Sequence, residues 1–185
     1  GGQILDICLE AEGSEDAALA DSVNRFKTAA YTIERPLHLG AAIAGAPEKL
    51  IAAFRGYGRD IGVAFQLRDD LLGVFGDPTV TGKPAGDDLR EGKRTVLLSL
   101  ALQRADASDP AAAADLRRLI GSTDDPADIE RMAQIIADSG APDVVEQRIT
   151  DLTHSGLAHL GDAHVPAEVT ATLEELARKS TARRM

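Results

Sequence analysis

The chain has 185 residues, a formal net charge of −10, 44% hydrophobic residues and only 3% aromatic ones, with no tryptophan. That length fits one domain or a piece of one, and the core has to be aliphatic and alanine-rich, as in packed helices. The acidic balance excludes a nucleic-acid partner and electrostatic attraction to anionic lipid, both of which need a basic face.

The opening GGQILDICLEAEG shows a helical pattern from its start, without an initiator Met or a signal-peptide pattern, and reads as the middle of a larger protein. Residues 2–12 are expected to form a helix with Ile4, Leu5, Cys8 and Leu9 on one face and Gln3 and Asp6 three apart. Cys8, the single cysteine, cannot form an internal disulfide, which fits a reducing cytosol, and its apolar surroundings predict a small buried hydrophobe. Residues 13–18 are a polar connection in which Ser14 or Asp16 caps the next helix. A short helix to about Arg25 and a longer one from about Thr28 come next, with a kink or break at Glu34–Arg35 imposed by Pro36. Lys27 at a helix start adds its charge to the positive end of the helix dipole, which is poor for stability and good for an anion. His38 reads as a core or interface histidine. A long helix over 47–75 takes Pro47 in its first turn. Gly56, Gly58 and Gly62 within it cost about 1 kcal/mol each against Ala, so close helix approach or room for a ligand is the expected compensation.

Residues 65–95, FQLRDDLLGVFGDPTVTGKPAGDDLREGKRT, concentrate the chemistry. Gln66, Asp69 and Asp70 lie at i, i+3 and i+4 and share one helical face. An Asp-Asp pair alone is usually a solvated surface pair. Two carboxylates aimed into a closed space are tolerated when a divalent cation sits between them and an anion, and Mg²⁺, held by one or two carboxylates plus phosphates, suits that place. The turn-rich loop after the helix presents Lys83, Asp87 and Asp88, and Lys93 opens the next apolar helix, over about 93–105; the lysines can meet phosphate oxygens directly.

Residues 110–185 read as amphipathic helices broken at Gly121-Ser122, Gly140-Ala141-Pro142 and His164–Pro166. Asp109-Pro110 and Thr123-Asp124-Asp125-Pro126 are start signals, so the second Asp-Asp pair is a capping feature. His154, His159 and His164 are spaced by five, suit no metal and read as unrelated surface residues. The basic tail Arg178, Lys179, Arg183, Arg184 reads as a frayed helix end. No strand alternation, internal repeat, nucleotide-type phosphate loop or membrane-length apolar run of roughly 20 residues occurs.

The ordered combination FQxxDD, GD, GKxxGxD, GK resembles the second aspartate-rich region of the trans-isoprenyl diphosphate synthases, or polyprenyl synthetases. Phe65, Gln66, Asp69, Asp70, Gly76, Asp77, Gly82, Lys83, Gly86, Asp88, Gly92, Lys93 and Thr95 carry the match. The third aspartate of the family's DDxxD is Gly73, which excludes a metal role for position 73. The Gln3–Asp6 helix resembles the family's GQxxDL helix lining the pocket, and Lys27-Thr28 with Tyr31 resembles its KT motif near the diphosphate. Motifs carry the resemblance over residues 1–105; beyond that only length and helical character do.

The resemblance implies an all-α antiparallel helical bundle of the isoprenoid synthase type. Residues 1–185 would be the C-terminal part of a single domain, with the family's first aspartate-rich motif and its basic cluster for isopentenyl diphosphate absent. It implies Mg²⁺-dependent head-to-tail prenyl transfer between an allylic diphosphate and isopentenyl diphosphate, in the cytoplasm, by a homodimer. Asp69 is the expected direct Mg²⁺ ligand, with Asp70 and Asp88 acting through water. Lys27, Lys83 and Lys93 would hold diphosphate, Thr28 and Gln66 would face the cationic carbon, and Gln3, Asp6 and Tyr31 would line the substrate cavity. With one half of the metal clamp, the chain is expected to be inactive alone. A non-catalytic helical subunit that modulates a full-length synthase is the alternative, against which the retained Lys27, Gln66, Lys83 and Lys93 weigh. A terpenoid cyclase is disfavoured by the lack of an Asn and Ser/Thr metal motif.

Overall fold

The computed structural model describes residues 4, 7, 8, 11–82, 84–161, 163 and 165–182. Every regular element among them is helical, as expected: α1 Ala17–Val23, a π-helix Asn24–Glu34, α2 Arg35–Ile43, α3 Glu48–Phe75, α4 Pro78–Thr81, α5 Asp87–Arg90, α6 Val96–Ser108, α7 Pro110–Leu119, α8 Pro126–Asp138, α9 Ala141–Gly161 and α10 Ala167–Thr181. Among the described residues no helix is long and apolar enough to cross a membrane. Internal packing divides the described residues into two units. The first comprises Ser22–Arg68 with Gln147–Arg183, the second Ile4–Asp21 with Asp69–Glu146.

The first unit is built on α3. The Pro47 carbonyl accepts the N–H groups of Leu50 and Ile51 at its start, and Glu48 complements the positive end of the dipole. Phe54, Tyr57 and Ile61, at i, i+3 and i+7, pack with Ala41, Leu160, Leu173 and Ala177 into one apolar cluster. Tyr57 is buried, donates to the Leu173 carbonyl at 2.7 Å, and burial pushes its phenol up to about 12. Arg68, also buried, donates from Nε to the Thr181 carbonyl at 2.8 Å. Tyr57 and Arg68 thus tie α10 to α3 by hydrogen bonds as well as by apolar contact.

The glycines of α3 are points of close approach. A Cβ at Gly58 would sit 2.7 Å from the Glu34 Cα, and one at Gly62 would sit 2.4 Å from the Ala29 Cα. These positions are one α-turn apart, and they meet residues five apart on the other stretch of backbone. The break expected between Arg25 and Thr28 is therefore not there. The chain stays helical but runs as a π-helix, whose closing bond joins the Arg35 N–H to the Ala30 carbonyl. The return to α falls at Arg35, beside Pro36, which has no N–H to donate and takes a first-turn position.

On another side of α3 a Cβ at Gly56 would lie 2.6 Å from the His159 ring, and one at Gly156 would lie 2.9 Å from Ile61. Asp60, one turn after Gly56 and 4% exposed, accepts from Ser155 Oγ at 2.7 Å and Arg59 Nε at 2.8 Å, with His159 Nε2 3.3 Å away. Burial opposes its ionisation, but the bonds from Arg59 and Ser155 outweigh burial and hold the carboxyl below the usual carboxylate range. His159 is thus no unrelated surface residue; its partner lies 99 positions away, beyond the reach of a spacing argument. His164 lies outside the described residues. His38 is half-buried, and its Nε2 is buried without a hydrogen-bond partner.

In the second unit α6 is the apolar centre, with Val96, Leu97, Leu98, Ala101, Leu102 and Ala105 buried. It packs against α7 and α8, which also pack on each other. The helix begins at Val96 rather than Lys93 because extended Thr95 caps it, its Oγ1 accepting the Leu98 N–H at 3.2 Å. Asp109 and Asp125 cap α7 and α8 as expected, each followed by Pro. Asp128 accepts from Thr123 Oγ1 at 2.9 Å, so the acidic run 124–128 works as a cap. Arg117 grips Glu15 and Asp106 together with four bonds of 2.6–2.7 Å. Cys8 corrects the expectation of burial: it is exposed, as are Ile4 and Ile7, because no described element covers that apolar face.

Gly62→Ala should lower stability by about 1–3 kcal/mol in urea unfolding, since the added methyl meets backbone. Gly40→Ala, in α2 with nothing within 4 Å, should stabilise by up to about 1 kcal/mol. The Asp60 cluster has its own signature in pH. A depressed carboxyl adds stability above its unfolded value, about 3.9, and loses it as pH falls through the lower folded value. Below about pH 4 wild-type urea midpoints should therefore fall more steeply than those of Asp60→Asn.

Candidate active site

The sequence-predicted residues that the structure describes fall into local clusters, one in each unit. In the first unit the π-helix carries Lys27, Thr28 and Tyr31. Thr28 is buried and donates from Oγ1 to Gln66 Oε1 at 2.6 Å. Gln66 extends the Gly58–Gly62 series by one more turn of α3, so the close backbone approach brings these side chains within hydrogen-bond reach. With its oxygen taken by Thr28, Gln66 has its amide N–H₂ turned the other way. Lys27 is exposed and Tyr31 is 73% exposed. Asn24, one turn before Thr28 and 8% exposed, was not singled out by the sequence. Its Nδ2 is buried without a hydrogen-bond partner, and the signal that marks it is a polar residue on the same helical stripe as Thr28.

In the second unit the last turns of α3 carry Asp69, half-buried, and Asp70, 3% exposed. The loop after α3 is held by local bonds. Asp77 caps α4 through the Thr79 N–H at 2.7 Å. Gly86 adopts φ +73° at the start of α5, where a Cβ would lie 2.3 Å from Ile129 Cγ2. The Leu89 carbonyl accepts the Gly121 N–H at 2.9 Å, pinning α5 to the turn between α7 and α8. This scaffold delivers Asp88 and Lys93. Lys93 N–H donates to the Asp88 carbonyl at 3.0 Å. Its Nζ lies 2.5 Å from Asp88 Oδ1 and 2.8 Å from Glu91 Oε2. Burial works against the charged ammonium, but the two carboxylates prevail and push the Lys93 pKa well above the usual lysine range. Glu91, absent from the predicted set, is thus a second partner of Lys93.

Beside Asp88, Gly73 has no side chain: a Cβ there would fall 2.0 Å from Asp88 Oδ2. Gln3, Asp6 and Lys83 lie outside the described residues. Two carboxylates, Asp88 and Glu91, thus stand against the Lys93 ammonium. Among the described residues no three acidic, histidine or cysteine side chains converge closely enough to enclose a cation. Hard carboxylate oxygens such as these suit an ion like Mg²⁺, which keeps waters and takes phosphates as ligands.

A family model described as polyprenyl synthetase matches residues 1–138. A geranylfarnesyl diphosphate synthase of Aeropyrum pernix is 41% identical over 147 residues, 80% of this chain and 44% of that protein. A geranylgeranyl diphosphate synthase of Mycobacterium tuberculosis is 32% identical over 180 residues, 96% of this chain and 50% of that one. Among solved structures, the geranylgeranyl pyrophosphate synthase from Corynebacterium glutamicum complexed with isoprenyl diphosphate and magnesium is 64% identical, with a TM-score of 0.97, over 100% of this chain and 52% of that one. The chain spans about half the length of these relatives.

Thr28→Val should remove the bond to Gln66 and cost about 1 kcal/mol of stability in denaturant unfolding. Thr28→Ser, which keeps the hydroxyl, should recover most of that loss.

Proposed function

The chain belongs to the polyprenyl synthetase family, and we propose that it carries the diphosphate-binding half of a Mg²⁺-dependent prenyltransferase that joins an allylic diphosphate head-to-tail to isopentenyl diphosphate. The observation that carries this reading is the Asp88 carboxylate, bonded to Lys93 and lying against Gly73 one turn along the helical face that bears Asp69 and Asp70. In this reading a diphosphate meets these carboxylates through divalent cations held between them. The relatives named for prenyl diphosphate synthesis support the reading, as does the magnesium in a similar crystal structure.

In this reading Asp69 is the direct ligand, and Asp70 and Asp88 act through water. Mg²⁺, when bound, supplies charge stabilisation of the departing diphosphate. Lys93, Lys27 and Lys83 hold diphosphate oxygens. The allylic C–O bond breaks and its electrons leave with the diphosphate. The double bond of isopentenyl diphosphate attacks the freed carbon, forming the new C–C bond, and the proton lost in restoring a double bond goes to diphosphate. Thr28 and the Gln66 it orients stand beside the allylic carbon, where their dipoles stabilise positive charge. Gln3, Asp6 and Tyr31 line the substrate cavity. No side-chain general base is needed. The 185 residues form the C-terminal part of one helical synthase domain, which works as a cytoplasmic homodimer.

Calorimetric titration of Mg²⁺ with a non-reactive allylic diphosphate analogue into the chain tests this. Metal-dependent binding is expected, weakened at least tenfold in Asp69→Ala. Equal binding by both proteins would rule out the metal role of Asp69.

A further inference from the structure

Gly73 stands where the family's aspartate-rich pattern has its third carboxylate, and the space it leaves is filled. A Cβ built there would lie 2.0 Å from Asp88 Oδ2, 2.4 Å from its Cγ and 3.0 Å from Oδ1. An alanine there requires the Asp88 carboxylate to shift. Position 73 is i+4 from Asp69 and i+3 from Asp70, one turn along the same helical face. Asp88 is 9% exposed. One oxygen faces the bare backbone of Gly73, and the other receives Lys93 Nζ at 2.5 Å. The loop is closed around it by the Lys93 N–H on the Asp88 carbonyl, with Gly86 and Gly92 at positive φ on either side.

We propose that Gly73 and Asp88 act as one unit: the glycine opens the seat that the loop carboxylate fills, so the third carboxylate of the acidic face comes from the loop already paired with Lys93. The glycine is then a requirement rather than a lost ligand. Asp88 is a positioning residue that fixes where the Lys93 ammonium stands, and the helix surrenders its own side chain to make this possible. The functional part of this inference rests on the diphosphate reading above; the seat itself does not. Restoring the family aspartate at position 73 should harm the protein unless Asp88 is removed with it.

The test is a thermal-unfolding cycle with Gly73→Ala, Asp88→Ala and the double variant. Gly73→Ala should lower Tm when Asp88 is present. On the Asp88→Ala background the same change should raise Tm, because only the better helix propensity of alanine then remains. The same sign in both backgrounds overturns the seat. Function is read by Mg²⁺-dependent binding of inorganic pyrophosphate. Asp88→Asn keeps the side chain's size in the seat but removes the carboxylate that holds Lys93, and should weaken binding at least tenfold. Wild-type affinity in that variant overturns the positioning role. Absence of Mg²⁺-dependent pyrophosphate binding in the wild type, with the sign change in Tm intact, overturns the diphosphate reading and leaves the seat established.

Discussion

The approach of two backbones at Gly58 and Gly62 sets the geometry of the first unit. Glu34 and Ala29 rest where side chains of α3 would otherwise stand, and only glycine leaves that room. Helix propensity is given up at both positions, and what is gained is a contact at main-chain distance. The Thr28–Gln66 bond is a product of that contact, since neither side chain reaches far. Packing on the His159 side of α3 uses the same device in both directions: Gly56 receives a ring and Gly156 receives Ile61.

Besides the apolar centre in α6, the second unit holds two charge clusters. Arg117 draws two carboxylates onto one guanidinium, and Lys93 draws two onto one ammonium. The exposed Arg117 cluster is screened by solvent and adds little. The Lys93 pair differs because Asp88 is enclosed. Its carboxylate would be costly in that place without a counter-ion, and with Glu91 it raises the Lys93 pKa against the opposing effect of burial. A single interaction thereby accounts for a buried acid and for the glycine opposite it.

Much of this was legible in the residues, and what was missed shares a cause. The caps Asp109 and Asp125 announce themselves by an adjoining proline, and helical spacing alone places Gln66, Asp69 and Asp70 on one face. Those signals are local. The capping of α6 by Thr95 was available too, but the apolar run drew the boundary back to Lys93. The π-helical path was not, because it depends on glycines thirty residues further on. The Asp60 cluster joins residues about a hundred positions apart, and nothing in the spacing of histidines points to it. Cys8 failed in the opposite sense: its apolar stripe is genuine, but burial needs a covering surface, which a stripe cannot supply. Gly73 read alone is a position without a ligand, and only the fold shows that the Asp88 carboxylate lies against it.

The π-helix also bears on how the chain can change length. An α-helix that faces water absorbs the loss or gain of a residue by rotating its downstream turns. Asn24–Glu34 cannot do so, because Ala29 and Glu34 are held against fixed points on α3 at a separation of five. Deleting one residue between them would restore α-helical winding and carry one of the two contacts off its glycine. Insertions and deletions are therefore barred from this stretch.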